Sequence, residues 1–284
     1  MTWTDISIPA DPRLDELATA NGLHPLHLED CRHGEQRCKL EQGDTYLFLV
    51  LKLVRLHADN NLTITDLDMF VGSDYVITVH DGEILFLDFL RNRPEALRPE
   101  EALYRVMDIV VDSYFPLLED LEDRVDAVES DILARSAASL LERVSDLRGM
   151  LLEMRRILSN SRQIAFTLQR TPATLASPEL LPFLRDIHDH LTRDLETVAG
   201  ERDRLAGMLD LYQSSLANQN NDATRLLTVL GTVALPALVI SAFCGMSLRY
   251  PGGMVSPQAF WVVCGITAAI TIALLWYLKR RGYF

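Results

Sequence analysis

The stretch LLTVLGTVALPALVISAFCG (residues 226–245) decides the organisation of this chain, because its twenty residues carry no charge. A second uncharged run, FWVVCGITAAITIALLWYL, occupies residues 260–278. Since a helix rises about 1.5 Å per residue, each run is long enough to cross roughly 30 Å of hydrocarbon. Two such runs in succession predict two transmembrane helices rather than two buried core helices. Neighbouring helices in a membrane can accommodate Pro236 in the first run.

Charge is distributed unevenly along the chain. Forty Asp and Glu residues against 27 Lys and Arg give a formal net charge of -13, yet no acid follows Asp222. Arg225 precedes the first run and Lys-Arg-Arg (279–281) follows the second, whereas the connection between the runs holds one basic residue, Arg249. Basic residues favour the cytosolic side of a membrane. The pattern therefore predicts a multi-pass protein of a bacterial-type inner (plasma) membrane, with both termini in the cytosol.

The composition and motifs argue against several other functions. An acidic chain is a poor partner for nucleic acid, because phosphate binding needs clustered positive charge. No Ser-His-Asp pattern, Walker motif or glycine-rich phosphate loop is present, so we expect neither a catalytic site nor ATP use. The start, MTWTDISIPADPRLDE, has no basic segment followed by an apolar one, so no cleavable signal peptide is expected.

The four cysteines, at positions 31, 38, 244 and 264, are scattered and are expected to be reduced. Nitrogen and sulfur ligands do cluster near the N-terminus, which raises the alternative of a bound zinc ion. The residues concerned are His24, His27, Cys31, His33 and Cys38. Their spacing fits no zinc-finger pattern, so a structural zinc is not the preferred interpretation.

Residues 1–92 are predicted to form a mixed α/β domain. Aliphatic and β-branched runs punctuated by Gly, Asn and Asp predict strands over 46–56, 62–71 and 75–80, and short helices are expected over 11–20 and 25–31. Residues 93–225 are predicted to form a helical domain and stalk, because apolar residues recur at three- and four-residue steps over 102–133 and 138–168. Residues 226–284 form the predicted transmembrane domain, with an outer loop over 246–259.

The segment from Glu179 to Gly245 is predicted to be one continuous helix. The sequence Ser-Pro-Glu (177–179) is a helix start signal, and beyond that first turn Pro236 is the only proline. Such a helix would be about 100 Å long. The alternative is two helices broken at Ala-Asn-Gln-Asn-Asn (217–221), which is a weak helix-forming run. Two thin spans cannot enclose a conduit in one chain, so ion movement would require several copies around a shared axis.

Four separated motifs resemble the CorA magnesium-transporter family: LDLYQSSLANQNNDATRLLTVLGTVALPALVISAFCGMS (209–247), HPLHLED (24–30), FLRDIHDH (183–190) and the basic tail KRRGYF (279–284). The resemblance implies an α+β cytosolic domain with a long helical stalk and two C-terminal transmembrane helices, assembled as a funnel-shaped homopentamer. It also implies passive uptake of divalent cations, with Mg²⁺ as both the transported ion and the regulatory ligand. The implied partners are other copies of the chain, the lipid bilayer and divalent cations; no further cofactor is implied.

The resemblance also assigns roles to individual residues. The pore would be lined by the first transmembrane helix, through Asn221, Thr224, Leu227, Thr228, Gly231, Leu235, Val239 and Ala242. Of these, Leu227 and Leu235 would be apolar constrictions. The outer selectivity loop would be Gly245, Met246 and Ser247. The regulatory metal, which closes the pore, would be bound by Glu29, Asp30, Asp186 and Asp210.

The outer loop departs from the family pattern, which is Gly-Met-Asn where this chain has Gly245-Met246-Ser247. Mg²⁺ gives up its waters reluctantly, so a selective entrance has to recognise the hydrated ion. Serine offers an acceptor oxygen on a shorter arm, and Arg249 nearby would repel dications. These differences keep two alternatives open: a zinc or broad divalent (cobalt, nickel) transporter, and a pentameric membrane scaffold or sensor that conducts weakly or not at all.

Overall fold

The computed structural model describes residues 1–34, 36–57, 61–92, 97–133, 140–170, 178–245 and 257–280. The chain divides into two compact units, Met1–Met208 and Leu209–Phe284.

The first unit is built on a five-stranded sheet. Its strands are β1 (Thr2–Ile6), β2 (Lys39–Gln42), β3 (Leu47–Leu56), β4 (Leu62–Val71) and β5 (Tyr75–His80). The strand order is β1-β5-β4-β3-β2, with β1 parallel to β5 and every other pair antiparallel. Backbone hydrogen bonds from Gly43 to Tyr46 (2.9 Å) and from Gly72 to Tyr75 (3.0 Å) close the turns before β3 and β5.

Two short helices cover one face of the sheet. They are α1 (Arg13–Asn21), which ends at Gly22 in the left-handed conformation (φ 66°), and α2 (Pro25–His33), which begins after a cap by His24. Left-handed backbone at a helix end favours glycine, because it has no Cβ to clash. The core under these helices joins α1, α2 and alternate strand positions. It includes Leu14, Cys31, Tyr46, Phe48, Val50, Phe70, Ile77 and Val79.

Helices also cover the opposite face, because strand residues of the other parity, such as Leu49 and Met69, are buried as well. Helix α3 (Leu85–Arg91) follows β5 in the chain. The helices that contact the sheet after it are α4 (Pro99–Asp112), α5 (Tyr114–Leu133) and α6 (Leu140–Leu168). Helix α4 contacts β3, β4 and β5, while α6 contacts β2. The hydroxyl of the fully buried Tyr114 donates to the Lys52 carbonyl (2.7 Å), which ties the start of α5 to β3.

A 3-10 turn (Pro178–Leu180) leads into α7 (Leu181–Gly245), a helix of 65 residues, and α8 (Pro257–Arg280) follows it. The prediction of one unbroken helix is confirmed, since α7 continues through residues 217–221. Over the ranges that the coordinates describe, no helix meets the requirements of length and apolarity for crossing a membrane.

The predicted strands over 46–56, 62–71 and 75–80 are confirmed as β3, β4 and β5, and the predicted first two helices as α1 and α2. The predicted helical pattern over 102–133 is confirmed, and the structure divides it into two helices, α4 and α5, at Ser113. Pro116 explains the break: it lacks an N–H group and its ring would clash with the carbonyl four residues earlier in a continuous helix. The elements β1, β2 and α3 were not predicted.

Within the first unit, Arg204 on α7 links three carboxylates. Its guanidinium donates to Asp126 (2.5 Å) and Glu129 (2.9 Å) on α5, and to Glu201 (2.9 Å) one turn away on α7. The Arg204 side chain is 39% exposed, so water screens these ion pairs. These ion pairs therefore link α5 to α7 electrostatically, and they contribute modestly to the free energy of unfolding.

We expect Arg204→Gln to lower the free energy of unfolding by about 1–2 kcal/mol, because its ion pairs with two exposed carboxylates and with the buried Glu201 are lost together. Urea denaturation at low salt measures this loss. In about 1 M NaCl the difference from wild type should shrink, since the screening length falls to about 3 Å. Arg13→Gln is the control, because the exposed Arg13 side chain pairs with Asp11 on a local turn. An Arg204 effect that salt does not alter would contradict the electrostatic explanation.

Candidate functional site

The predicted pore-lining residues all lie on α7, in the second unit. Thr228 and Gly231 are half-buried, and the other six are exposed. The hydroxyls of Thr224 and Thr228 donate to the carbonyls of Asn220 and Thr224, each at 2.8 Å. These bonds fix the hydroxyl protons along the helix and leave oxygen lone pairs available on its surface. The eight predicted pore-lining residues recur mostly at three- and four-residue steps, and this spacing places them along one side of the helix.

The predicted outer loop is described in part. Gly245 is the last residue of α7. Met246, Ser247 and Arg249 lie outside the described residues, so their roles stay predictions from the sequence.

The predicted regulatory acids of α2 have different surroundings. Glu29 is exposed, whereas Asp30 is half-buried and accepts a hydrogen bond from Lys39 Nζ at 2.7 Å. Lys39, on β2, also donates to Glu41 Oε1 at 2.8 Å. This pairing was not predictable from the sequence, because the helix and the strand meet only in the tertiary fold.

A hydrogen-bonded chain continues from Glu41 into the core. His27 lies between Glu41 Oε2 (2.9 Å) and the Tyr46 hydroxyl (2.8 Å), and its ring stacks on Phe48 with the centroids 4.5 Å apart. The hydrogen bond from Lys39 lowers the pKa of Glu41 despite partial burial. For Lys39, burial lowers the pKa, but the hydrogen bonds to Asp30 and Glu41 outweigh it, so the pKa is raised. Lys39 is therefore protonated and positively charged where it contacts Asp30.

The two predicted acids of α7 are both exposed. Asp186 Oδ1 lies 3.7 Å from His190 Nε2. Asp210 belongs to the second unit, whereas the other three predicted acids belong to the first. Among the residues with described positions, no three His, Cys, Asp or Glu side chains are grouped so that they could hold a metal ion. The described histidines and cysteines of residues 24–38, which raised the alternative of a zinc site, form no such group either.

A buried carboxyl beneath α2 was missed by the sequence analysis. Asp68 on β4 is 3% exposed and forms a hydrogen bond with the Cys31 thiol, and its Oδ1 atom has no hydrogen-bond partner in the described structure. Burial raises the pKa of Asp68 to about 7, and like charges at Asp66 and Asp30 add to that effect. Burial also raises the pKa of Cys31, so the thiol stays protonated. The available signal was an acid at an inward position of the apolar run DLDMFV (66–71).

The fold defines the class of protein first. A mixed-sheet domain followed by a very long helix and a second apolar helix matches the complete structure of the CorA magnesium transporter from Methanocaldococcus jannaschii. The TM-score is 0.83, with 21% identity over 99% of this chain and 91% of that chain. At this identity the match establishes the fold.

Sequence then identifies the family. The family described as CorA-like Mg2+ transporter protein matches residues 1–280, and the chain belongs to it. Its members are membrane proteins that transport metal ions and are not enzymes.

Curated relatives match over nearly the whole chain. A Thermotoga maritima protein named Cobalt/magnesium transport protein CorA is 29% identical over 99% of this chain and 83% of its own length. YfjQ of Bacillus subtilis, named as a metal ion transporter, is 30% identical over 99% of this chain and 89% of its own length. The Zinc transport protein ZntB of Yersinia pseudotuberculosis is 24% identical, over 64% of this chain and 55% of its own length.

Proposed function

We propose that this protein is a passive transporter or channel for divalent cations, with Mg²⁺ as its principal ion. The observation that carries the proposal is the composition of α7. This single helix of 65 residues has an amphipathic first part and ends in twenty uncharged residues. The names of the Thermotoga and Methanocaldococcus relatives support magnesium as the ion.

The proposed transmembrane domain consists of residues 226–245 and 260–278, with both termini in the cytosol of a bacterial-type inner membrane. Large apolar side chains are exposed along both segments, including Leu227 (68%) and Trp261 (72%). Such side chains are costly in water and favourable in lipid. Near the end of α8 the Arg280 guanidinium lies 5.4 Å from the centre of the Trp276 ring, an aromatic–basic pair suited to a membrane interface.

The proposed assembly is a homopentamer in which the uncharged part of α7 surrounds the conduit. A single chain offers one such segment and one companion helix, so copies must share an axis. The eight predicted residues on α7 would then form rings. Threonine oxygens and Asn221 could contact a hydrated ion, and Leu227 and Leu235 could exclude water when the pore is closed. We retain 1–92, 93–225 and 226–284 as the proposed functional domains.

The proposed regulatory site uses Glu29, Asp30, Asp186 and Asp210. Carboxylate oxygens are the ligands that Mg²⁺ prefers, so the donor chemistry fits the ion. Since no described group of three ligands forms within one chain, the site would need acids from neighbouring protomers. A bound ion would relieve the repulsion between these acids and hold the protomers together.

Comparison of ion fluxes tests the proposal. Purified protein in liposomes should admit Mg²⁺ faster than Zn²⁺, Co²⁺ or Ni²⁺ when each is supplied alone. The second candidate function, zinc or broad divalent transport, is favoured by Ser247 and Arg249 together with the likeness to ZntB. Faster entry of Zn²⁺ or Co²⁺ would establish that alternative. No flux of any dication would instead favour the scaffold or sensor.

We expect Ser247→Asn to raise Mg²⁺ uptake several-fold, because an amide carbonyl on a longer arm reaches the waters of the hydrated ion better than a hydroxyl. The measurement is initial uptake by proteoliposomes at equal protein content. Ser256→Asn is the matched control, since it makes the same substitution elsewhere in the connection between the spans. Equal uptake by all three proteins would mean that position 247 does not govern selectivity.

A further inference from the structure

The contact between Lys39 and Asp30 places a protein cation on one of the proposed metal ligands. The ammonium is held by two carboxylates, Asp30 at 2.7 Å and Glu41 at 2.8 Å. Its side chain is 26% exposed and that of Asp30 is 21% exposed, so solvent reaches the pair from one side. A divalent cation arriving at Asp30 therefore meets a carboxylate that is already neutralised.

Buried side chains hold the partners of Lys39 in place. Glu41 is held by His27, and His27 is held in turn by the Tyr46 hydroxyl and the Phe48 ring. The Lys39 ammonium also lies 5.6 Å from the centre of the Phe48 ring. The Glu41 side chain is 44% exposed, but its second carboxylate oxygen is held by the buried His27. The ammonium therefore keeps a fixed partner and remains near Asp30 even if a dication draws that carboxylate away.

We propose that Lys39 is an internal competitor for the divalent cation at Asp30 and so sets the cation concentration at which the regulatory site fills. The inference rests on the proposed regulatory site, and it adds a residue that sets the sensitivity of that site. The competition has two parts: the dication has to break the Lys39–Asp30 hydrogen bond, and it then lies close to a fixed positive charge. Both parts weaken binding, so the site fills at a higher Mg²⁺ concentration than its acids alone would require.

The test is the Mg²⁺ concentration that gives half-maximal protection of the full-length protein, in detergent, from proteinase K. Lys39→Gln should lower this concentration about three- to tenfold, because it removes both the ion pair and the repulsion. Lys39→Arg, which keeps the charge, should stay within about twofold of wild type. Lys39→Met gives a second uncharged variant if the glutamine variant folds poorly.

Arg32→Gln is the matched control. Arg32 lies on the same helix, two residues from Asp30, but it pairs with Asp15 at 2.7 Å. This variant removes the same charge from the neighbourhood and should leave the midpoint within about twofold of wild type. Three results would each overturn the inference. They are an equal shift of the midpoint in Arg32→Gln, an unchanged midpoint in both uncharged Lys39 variants, and no protection of wild type by Mg²⁺. Liposome flux is measured separately, so absence of transport would refute the proposed function without removing a Lys39-dependent shift.

Discussion

Asp68→Asn should abolish a pH-dependent loss of stability of up to about 4 kcal/mol, because burial raises the pKa of Asp68 from 3.8 to about 7 in the folded protein. Below about pH 4 both the folded and unfolded states bind the proton. Between pH 4 and 7 only the folded state keeps it, so stability falls as the pH rises. Above about pH 7 the folded protein bears the full cost of a buried, charged carboxylate. Asparagine is neutral throughout and retains an oxygen that can accept from the Cys31 thiol.

The measurement is the free energy of unfolding in urea at pH 5, 6, 7 and 8, taken as variant minus wild type. This difference cancels the contribution of titrating groups that do not interact with Asp68. Cys31, Asp66, Lys52 and Asp30 do interact with Asp68, so the difference reports Asp68 together with these neighbours. The difference in free energy of unfolding should grow from pH 5 to about pH 7 and level off by pH 8. Asp74→Asn, at an exposed position beside the same sheet, is the control and should show a flat difference. A flat difference for Asp68→Asn as well would mean that Asp68 is ionised at its ordinary pKa.

Phe48→Ala should lower the free energy of unfolding by about 3–5 kcal/mol, because it leaves a cavity where a large ring was fully buried. Phe48 is 0% exposed, and its ring lies 4.5 Å from that of His27 and 4.7 Å from that of Phe70, centre to centre. Loss of the ring should also loosen α2, so amide hydrogen exchange over Pro25–His33 should accelerate more than exchange in α6.

Phe115→Ala provides the comparison for the Phe48 experiment. Phe115 is 60% exposed, so its removal should cost less than about 1 kcal/mol. Similar losses of unfolding free energy in the two variants would mean that the packing of Phe48 beneath α2 stabilises the fold less than its burial indicates. Accelerated exchange confined to α6 would contradict the coupling between Phe48 and α2.

The parts of the fold that were predictable are those with a strong local pattern. The strands β3, β4 and β5 carry nearly continuous aliphatic runs bounded by turn residues, and their predicted ends agree with the structure to within one residue. The continuity of α7 was predictable because Pro236 is the only proline beyond its first turn. In these segments the local preference and the tertiary environment favour the same conformation.

The element β1 was missed because its partners are distant in the sequence. Its short sequence, TWTDI, is stabilised by side-chain bonds to β5. Trp3 donates to the Thr78 hydroxyl (3.2 Å), that hydroxyl donates to Asp5 (2.5 Å), and His80 lies 3.1 Å from the same carboxylate. A pattern of residues along one segment cannot reveal bonds of this kind.

The same reason limits prediction of the candidate site. The sequence identified Asp30 as an acid in a family motif, but the Lys39 contact depends on how α2 packs beside β2. The predicted pore residues could be placed on one side of α7 because helical spacing is local. Their proposed arrangement around an axis would depend on other copies of the chain, which no single sequence specifies.

The parallel pairing of β1 with β5 fixes an order of events during synthesis. Thr2–Ile6 pair with Tyr75–Val79, so the first strand waits for a partner about 70 residues downstream. At roughly 5–20 residues per second the ribosome needs about 4–14 s to supply it. Meanwhile β2, β3 and β4 can pair through short connections, which form faster than distant ones. A translational pause before β5 would leave β4 as an unpaired edge, and a neighbouring nascent chain could add to it.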